Sequence, residues 1–159
     1  MSVKEPYKFN LGRLLSPAEI VVERGNSTKT ELIKKLVSAV CKQDPKLDGA
    51  DILAQVLKRE EGISTTLDTG LSIPHARLEE ITDFKAALAV LPNAAQDPVN
   101  PNLSIKAMFL FLSPAKPVFF QRHLQILSSL AETFKPEFID ELAALGSPEE
   151  ILARLKGHR

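Results

Sequence analysis

One short stretch, Gly70-Leu71-Ser72-Ile73-Pro74-His75, constrains the fold of this chain more than any other. Leu71 and Ile73 are two positions apart, so they would lie on one face of a β-strand. Pro74 lacks the backbone N–H that would make the next ladder hydrogen bond, so we expect the strand to stop there. His75 is therefore expected at the strand end, where an imidazole can be held rigidly and still be exposed.

Segments with strand and helix periodicity alternate along the rest of the chain. The capping sequence Ser16-Pro17-Ala18-Glu19 predicts one helical turn before the first strand. Further strands are expected at 20–22, 86–91 and 105–112, with a loop at 92–102, and helices at 27–43, 48–59, 119–134, 136–145 and 147–155. This order predicts an α/β (α+β) fold with one mixed sheet and helices packed on it. We expect one domain over residues 1–159, with a loose segment at 1–10.

Charge and cysteine content exclude several classes of protein. Twenty Lys and Arg residues balance twenty Asp and Glu residues, so no overall field indicates nucleic acid or an anionic membrane as partner. The single cysteine excludes an internal disulfide and is typical of a reducing compartment. The first ten residues lack the apolar core of a signal segment, and apolar runs stay well below the ~20 residues that span a bilayer. We therefore expect a cytoplasmic protein without membrane insertion.

Familiar reaction motifs are absent from the sequence. A metal site needs three or four ligands, and the sequence has no CxxC, HxxxH or HExxH spacing. His75 and His123 could bind a metal only if the fold brought a carboxylate to them. A GxSxG nucleophile elbow is missing, and the run Thr66–Gly70 lacks the lysine and glycine spacing of a P-loop. Cys41 falls on the apolar face of the first helix, which favours core packing over nucleophilic attack.

The remaining chemistry is phosphoryl transfer to a histidine. A neutral imidazole has a free lone pair, and a transferring phosphoryl group needs nearby cations and N–H or O–H donors. Arg59, Arg77, the hydroxyls of Ser64-Thr65-Thr66 and a second histidine, His123, supply such groups for His75. Each of these also has an ordinary role when taken alone: His123 lies on an apolar helix stripe, the arginines suit a solvated surface, and the hydroxyls suit a turn. The prediction therefore depends on their combination.

Three motifs together resemble a known family. Arg59-Glu60, Ser64-Thr65 and the stretch from Gly70 to Arg77 are similar to the signature of type-2 enzyme IIA domains. These belong to the bacterial phosphoenolpyruvate:sugar phosphotransferase system, in its fructose/mannitol and nitrogen-regulatory branch. The resemblance covers most of the chain and includes Leu14-Leu15-Ser16-Pro17 and the segment from His123 to Ala131. It implies a mixed sheet flanked by helices on both sides.

The resemblance also implies roles for individual residues. His75 would accept a phosphoryl group from the histidine of a small phosphocarrier protein. It would pass that group to a cysteine on a IIB domain or hold it as a regulatory signal. His123 matches the second active-site histidine, and Arg59 matches the arginine near the site. Together with Arg59, we expect the hydroxyls of Ser64 and Thr65 to bind the phosphate. We expect no cofactor and no metal, and the charge balance indicates no nucleic acid as partner.

Two segments depart from the family pattern. Thr66 and Asp68 stand where the family commonly has glycines, and Asp68 would bring a negative charge close to the phosphate unless it points away as a turn residue. The segment from Lys116 to Arg122 is more apolar and more basic than expected. A chain without fused transporter domains favours the nitrogen-regulatory subgroup. The alternatives are a soluble IIA component of a fructose- or mannitol-type transporter and, in a different class, a binding module that is not phosphorylated.

Overall fold

The computed structural model describes residues 10–62 and 64–158 of the chain. Three short 3₁₀ turns cover Leu11–Leu14, Pro17–Glu19 and Pro117–Phe119. The strands are β1 Ile20–Val22, β2 Leu71–Ser72, β3 His75–Leu78, β4 Lys85–Gln96 and β5 Ser104–Pro114. The helices are α1 Lys29–Lys42, α2 Gly49–Gly62, α3 Phe120–Thr133, α4 Pro136–Ala144 and α5 Pro148–Lys156. The expected loose segment at 1–10 lies outside the described residues except for Asn10, whose side chain caps the first 3₁₀ turn.

The strands form one mixed sheet in the order β1-β4-β5-β2, with β3 also paired to β5. β1 runs parallel to β4, β4 and β5 form an antiparallel hairpin, and β2 and β3 both run parallel to β5. The two short strands β2 and β3 thus follow one another along the same flank of β5. The predicted fold class, α/β with one mixed sheet, is confirmed.

Two apolar clusters lie on the two faces of this sheet. Alternate residues of β5 face opposite sides, so Phe109 and Phe111 pack with helices α3, α4 and α5, whereas Leu110 and Leu112 pack with α1 and α2. A strand buried on both faces becomes a continuous apolar run, as 105–112 nearly is. Helices therefore cover both sides of the sheet, as expected.

The interrupted edge strand corrects one expectation about His75. Pro74 does stop β2, but pairing with β5 resumes at once, with His75 opposite Phe111 at the start of β3. The Pro74 carbonyl still accepts a hydrogen bond from the Phe111 N–H, so only the donor is lost at the break. Packing between β5 and the helices leaves His75 only 7% exposed. The prediction that it is exposed at a strand end is therefore wrong.

The second strand of the hairpin also differs from expectation. β4 continues to Gln96 through Pro92, in a stretch that its Pro, Asn and Asp content predicted as loop. Its pairing with β5 shifts register between Val90 and Ala95, and β1 pairs with β4 only as far as Val90. A proline is tolerated there because no neighbouring strand needs its missing N–H.

The helices follow the predicted order with small changes at their ends. Thr28 caps α1 in a reciprocal capping box with Glu31, so α1 begins at Lys29 and not at 27 as predicted. α2 extends one turn beyond Arg59, to Gly62. Within α3, Phe120 is exposed, although the helical periodicity of 119–134 predicts it on the apolar stripe together with His123.

The surroundings of Cys41 agree with the packing role that its place on the apolar face of the first helix predicts. Cys41 lies half-buried against the cluster under α1 and α2, and burial raises the pKa of its thiol. A thiol with a raised pKa is a poor nucleophile, which agrees with a packing role. No helix in the described ranges 10–62 and 64–158 is long and apolar enough to cross a membrane.

Candidate functional site

His75 is fixed in one tautomer by two neighbours. Its Nδ1 lies 2.8 Å from the carbonyl oxygen of Ile73, which only accepts hydrogen bonds, so Nδ1 carries the proton. Its Nε2 lies 3.4 Å from a terminal nitrogen of Arg59, which only donates. Both contacts leave the lone pair on Nε2. The turn at Pro74 brings the Ile73 carbonyl back onto the ring two residues later.

A second histidine lies against the first. The ring centroids of His75 and His123 are 5.3 Å apart, and the rings are tilted by 55°. Phe111 packs against both, stacked on His75 at 5.4 Å and tilted to His123 at 5.1 Å. His123 Nδ1 lies 2.6 Å from the Ser113 hydroxyl, a group that can donate or accept. Phe111 and Ser113, which lie on one face of β5, thus contact the two imidazoles, with His123 on the first turn of α3.

Burial keeps both imidazoles neutral. Desolvation is the largest cause of a lowered pKa at His75, and the Arg59 charge adds to it, while the Ile73 hydrogen bond and the Glu60 charge partly oppose it. Desolvation lowers the pKa of His123 to about 4, with smaller contributions from His75, Arg77 and Arg59. At neutral pH both rings therefore have a free lone pair and no charge of their own.

A buried ionic network lies beneath the loop that follows α2. We call it the Asp97 network: Lys29, Glu60, Ser64, Thr65, Thr66 and Asp97. The ammonium of Lys29 donates to Glu60 at 2.9 Å, to Asp97 at 3.2 Å and to the Ser64 hydroxyl at 3.2 Å, which uses all three of its protons. The hydroxyls of Ser64 and Thr66 both donate to the same oxygen of Asp97, and Thr65 donates to Glu60 at 3.0 Å.

The second oxygen of Asp97 closes the hairpin between β4 and β5. It accepts hydrogen bonds from the backbone N–H groups of Val99 at 2.8 Å and Asn100 at 3.2 Å. Burial alone would raise the pKa of Asp97, but the hydroxyl and backbone donors hold it well below its usual range. One fully buried carboxylate thus connects α1, the loop after α2 and the hairpin.

The structure brings some predicted site residues together and assigns others different contacts. His75, His123 and Arg59 meet as expected, whereas the hydroxyls of Ser64 and Thr65 bind carboxylates of the Asp97 network. Thr65 still lies beside the site, because its carbonyl accepts the Ile73 N–H at 3.3 Å. Asp68 is an exposed turn residue.

Arg77, also considered as a phosphate ligand, is exposed and has other partners. Its guanidinium donates to the carbonyl of Ala115 at 2.9 Å and lies over the Phe120 ring at 4.9 Å. Across residues 10–62 and 64–158, no three His, Cys, Asp or Glu side chains are grouped so as to hold a metal ion.

Sequence reasoning missed the residues that support the site. Asp97 stands in a segment rich in Pro and Asn, where an aspartate indicates a turn, and it does make that turn. Its pairing with Lys29, 68 positions away, has no local signal. The predicted strand 105–112 ends one residue before Ser113, although Ser113 stands two residues after Phe111 and therefore falls on the same sheet face.

Comparison with known proteins identifies relatives over most of the chain. Residues 13–158 match the family model described as phosphoenolpyruvate-dependent sugar phosphotransferase system, EIIA 2. A protein named nitrogen regulatory protein from Pseudomonas aeruginosa is 23% identical over 123 residues, which are 77% of this chain and 79% of that protein.

Solved structures share the fold. The nitrogen regulatory protein IIA-Ntr from Neisseria meningitidis superposes with a TM-score of 0.77 at 24% identity, covering 91% of this chain and 98% of that one. Enzyme IIA for mannitol from Escherichia coli, solved in complex with its phosphorylated enzyme IIB, gives a TM-score of 0.72 at 19% identity, with 91% and 98% covered.

The buried carboxylate generates a prediction about stability. Replacing Asp97 with alanine leaves Lys29, Ser64 and Thr66 without their shared acceptor, so we expect the free energy of unfolding to fall by about 3 kcal/mol. Urea denaturation at neutral pH measures this change. The matched control is Asp140→Ala at an exposed position of α4, which we expect to stay within about 0.5 kcal/mol of wild type. An equal effect of the two substitutions would show that the network contributes nothing.

The lowered histidine pKa generates a prediction about pH. The unfolded chain takes up a proton at His123 near pH 6.5, but the folded chain does so only at about 4, so acid favours unfolding in that interval. We expect the wild type to lose roughly 2 kcal/mol more than His123→Gln between pH 7 and pH 4. Denaturation at a series of pH values gives this difference. A constant difference across the series would contradict the buried neutral imidazole.

Proposed function

The chain belongs to the EIIA type 2 family of the phosphoenolpyruvate-dependent sugar phosphotransferase system, and from that premise we propose that it carries a phosphoryl group on His75. The observation that carries the proposal is the tautomer of His75. Its proton is held on Nδ1 by the Ile73 carbonyl, so Nε2 presents its lone pair beside Arg59. We further propose that the protein acts in the cytoplasm.

The proposed reaction needs no general base. The Nε2 lone pair of His75 attacks phosphorus, while the bond from phosphorus to the donor's histidine nitrogen breaks and returns its electron pair to that nitrogen. His75 keeps the Nδ1 proton, so the ring gains positive charge as the new N–P bond forms. The Ile73 carbonyl, 2.8 Å from Nδ1, stabilises that charge, and the reverse transfer follows the same path.

Neighbouring groups are arranged to stabilise the transferring phosphoryl group. Arg59 lies 3.4 Å from Nε2 in the resting site and would donate to phosphoryl oxygens once Nε2 is occupied. When Ser113 donates to Nδ1 of His123, the proton of that ring lies on Nε2, available as a second donor. Ser64 and Thr65 are phosphate ligands only if their hydroxyls leave the carboxylates that they now bind.

The proposed partners follow from the family and its members. The phosphoryl donor is a histidine-containing phosphocarrier protein, and the acceptor is a IIB domain or a regulated target protein. The nitrogen regulatory relatives favour regulation as the main role. Sugar transport is the second candidate, because a mannitol enzyme IIA of the same fold is known in complex with phosphorylated enzyme IIB. A binding module that is never phosphorylated is the third.

Phosphorylation of His75 is tested by incubating the protein with phosphoenolpyruvate, enzyme I and the phosphocarrier. We expect one acid-labile phosphate on His75. It should be attached through Nε2, because the proton on Nδ1 is held by the Ile73 carbonyl. His75→Gln should take no label, because it has no imidazole. Phosphorus–proton correlation NMR identifies the nitrogen.

Two controls sharpen that result. His123→Gln is expected to accept phosphate more slowly. If His123→Gln took no label and His75→Gln kept it, the roles of the two histidines would be exchanged.

Wild-type label that moves to a IIB cysteine favours transport, whereas label that stays favours regulation. A wild-type protein that takes no label supports the unphosphorylated binding module.

Arg59 provides a further prediction. Replacing it with alanine removes the cation beside Nε2, and we expect the rate of phosphoryl acceptance to fall by about 10²-fold, as for loss of one transition-state donor. Rapid-quench measurement of His75 labelling gives the rate. The control is Lys58→Ala, which removes the exposed cation just before Arg59 and should change the rate less than about twofold. Equal losses of rate in the two variants would show that Arg59 acts only through its contribution to the overall charge and not as a donor beside Nε2.

A further inference from the structure

An apolar surface is exposed at the start of α3. Of the four large apolar side chains exposed in the described part of the chain, three lie here: Val118 at 80%, Phe120 at 44% and Leu124 at 48%. Phe120 and Leu124 are four positions apart on one helix, so they lie on the same face. Clustered exposure of this kind marks an interaction site, whereas isolated exposed apolar residues do not.

The charged side chains in the segment that carries this apolar group, and Arg77 beside it, are all basic. Arg77 lies over the Phe120 ring at 4.9 Å, and Lys116 and Arg122 belong to the same segment as the apolar residues. The sequence has no Asp or Glu from Ser113 to Ala131. We call Arg77, Lys116, Val118, Phe120, Arg122 and Leu124 the α3 surface. It is basic although the whole chain has no net charge.

The α3 surface adjoins the histidine pair. The Phe120 ring stacks over His123 with centroids 6.2 Å apart, and Leu124 follows His123 directly in the chain. His75 and His123 are only 7% and 5% exposed, so a macromolecular donor must contact their surroundings to reach them. Any protein that exchanges a phosphoryl group with His75 therefore meets Phe120 and its neighbours.

We propose that the α3 surface docks the protein that exchanges phosphoryl groups with His75, and that this partner presents an apolar patch bordered by Asp and Glu. The inference rests on the proposed function and adds the chemistry of the partner to it. Apolar side chains at the centre provide affinity, and charges at the rim set the rate of encounter and its salt dependence.

Other occupants fit the surface less well. A second copy of this chain, paired about a two-fold axis on this face, would bring Lys116 and Arg122 against their own equivalents, which costs free energy. A nucleic acid would satisfy the basic residues but leave Val118 and Leu124 against a phosphate backbone. A protein with an acidic rim satisfies both components.

The test measures phosphoryl transfer from the phosphocarrier protein of the same organism to His75, as a second-order rate constant between about 50 and about 500 mM NaCl. For the wild type we expect the rate constant to fall about tenfold across this range. Lys116→Glu combined with Arg122→Glu should lower the rate at low salt by about tenfold and abolish the fall. Val118→Ser combined with Leu124→Ser should lower the rate at every salt concentration.

Two controls separate docking from damage to the site. Lys34→Glu combined with Lys46→Glu makes the same change in net charge on and just after α1, on the other face of the sheet, and should leave the salt dependence unchanged. Phosphoramidate, a small phosphoryl donor that needs no docking surface, should label all of these variants at the wild-type rate.

The possible outcomes are distinct. Label from the carrier at a rate indifferent to salt and to the α3 substitutions would overturn the docking inference and leave the proposed function intact. No label on His75 from either donor would overturn the proposed function and this inference with it. Binding of a random DNA or RNA duplex that the charge reversals abolish, without effect on transfer, would assign the surface to nucleic acid.

Discussion

The hydrogen bond from His75 Nδ1 to the Ile73 carbonyl sets the chemistry of the candidate site. It exists because the edge strand is interrupted at Ile73 and Pro74, which turns the backbone so that the carbonyl of Ile73 faces the ring two residues on. The carbonyls of Gly70 and Pro74 accept hydrogen bonds from β5, so the carbonyl of Ile73 between them faces away from that strand. The Ile73 carbonyl thus holds the proton on Nδ1 of His75, so that the lone pair lies on Nε2, the nitrogen that attacks in the proposed reaction. The ring is held in this orientation because it lies within a buried sheet edge.

The Asp97 network provides the second level of support. Arg59 lies next to Glu60 on the last turns of α2, and Glu60 is held by Lys29 and Thr65. Thr65 in turn accepts the N–H of Ile73, the residue that orients His75. A chain of contacts therefore connects the cation beside Nε2 and the carbonyl behind Nδ1 to the same buried charges. Charged groups without exposure are costly unless fully paired, and this network pairs every polar atom of Lys29 and Asp97.

The sequence predicts the helices and strands of this fold better than it predicts the residues that hold the candidate site in place. Periodicity identifies the helices and the strands β4 and β5, because their apolar residues recur at regular spacing. Periodicity does not predict that β4 continues through Pro92, because a proline is tolerated there only since β1 ends beside Val90. It also does not predict the burial of His75, which depends on the pairing of β3 with Phe111. The motif residues Arg59 and His75 are recognisable locally. Lys29 and Asp97 are not, since a buried ion pair across 68 positions exists only once the hairpin and α1 have docked.

The interior of the candidate site and its surroundings differ in charge. Burial leaves His75 and His123 neutral, so the resting site has no charge of its own on the imidazoles, and the cations Arg59 and Arg77 flank them from the surface. In the proposed reaction a phosphoryl group arrives with negative charge and moves from a partner's surface to the buried Nε2 of His75. Surface cations favour its approach, and the neutral ring supplies the lone pair that attacks phosphorus. The positive charge that the ring then gains makes it a good leaving group in onward transfer. A carrier must both accept and release, and a neutral nucleophile with peripheral cations meets both requirements.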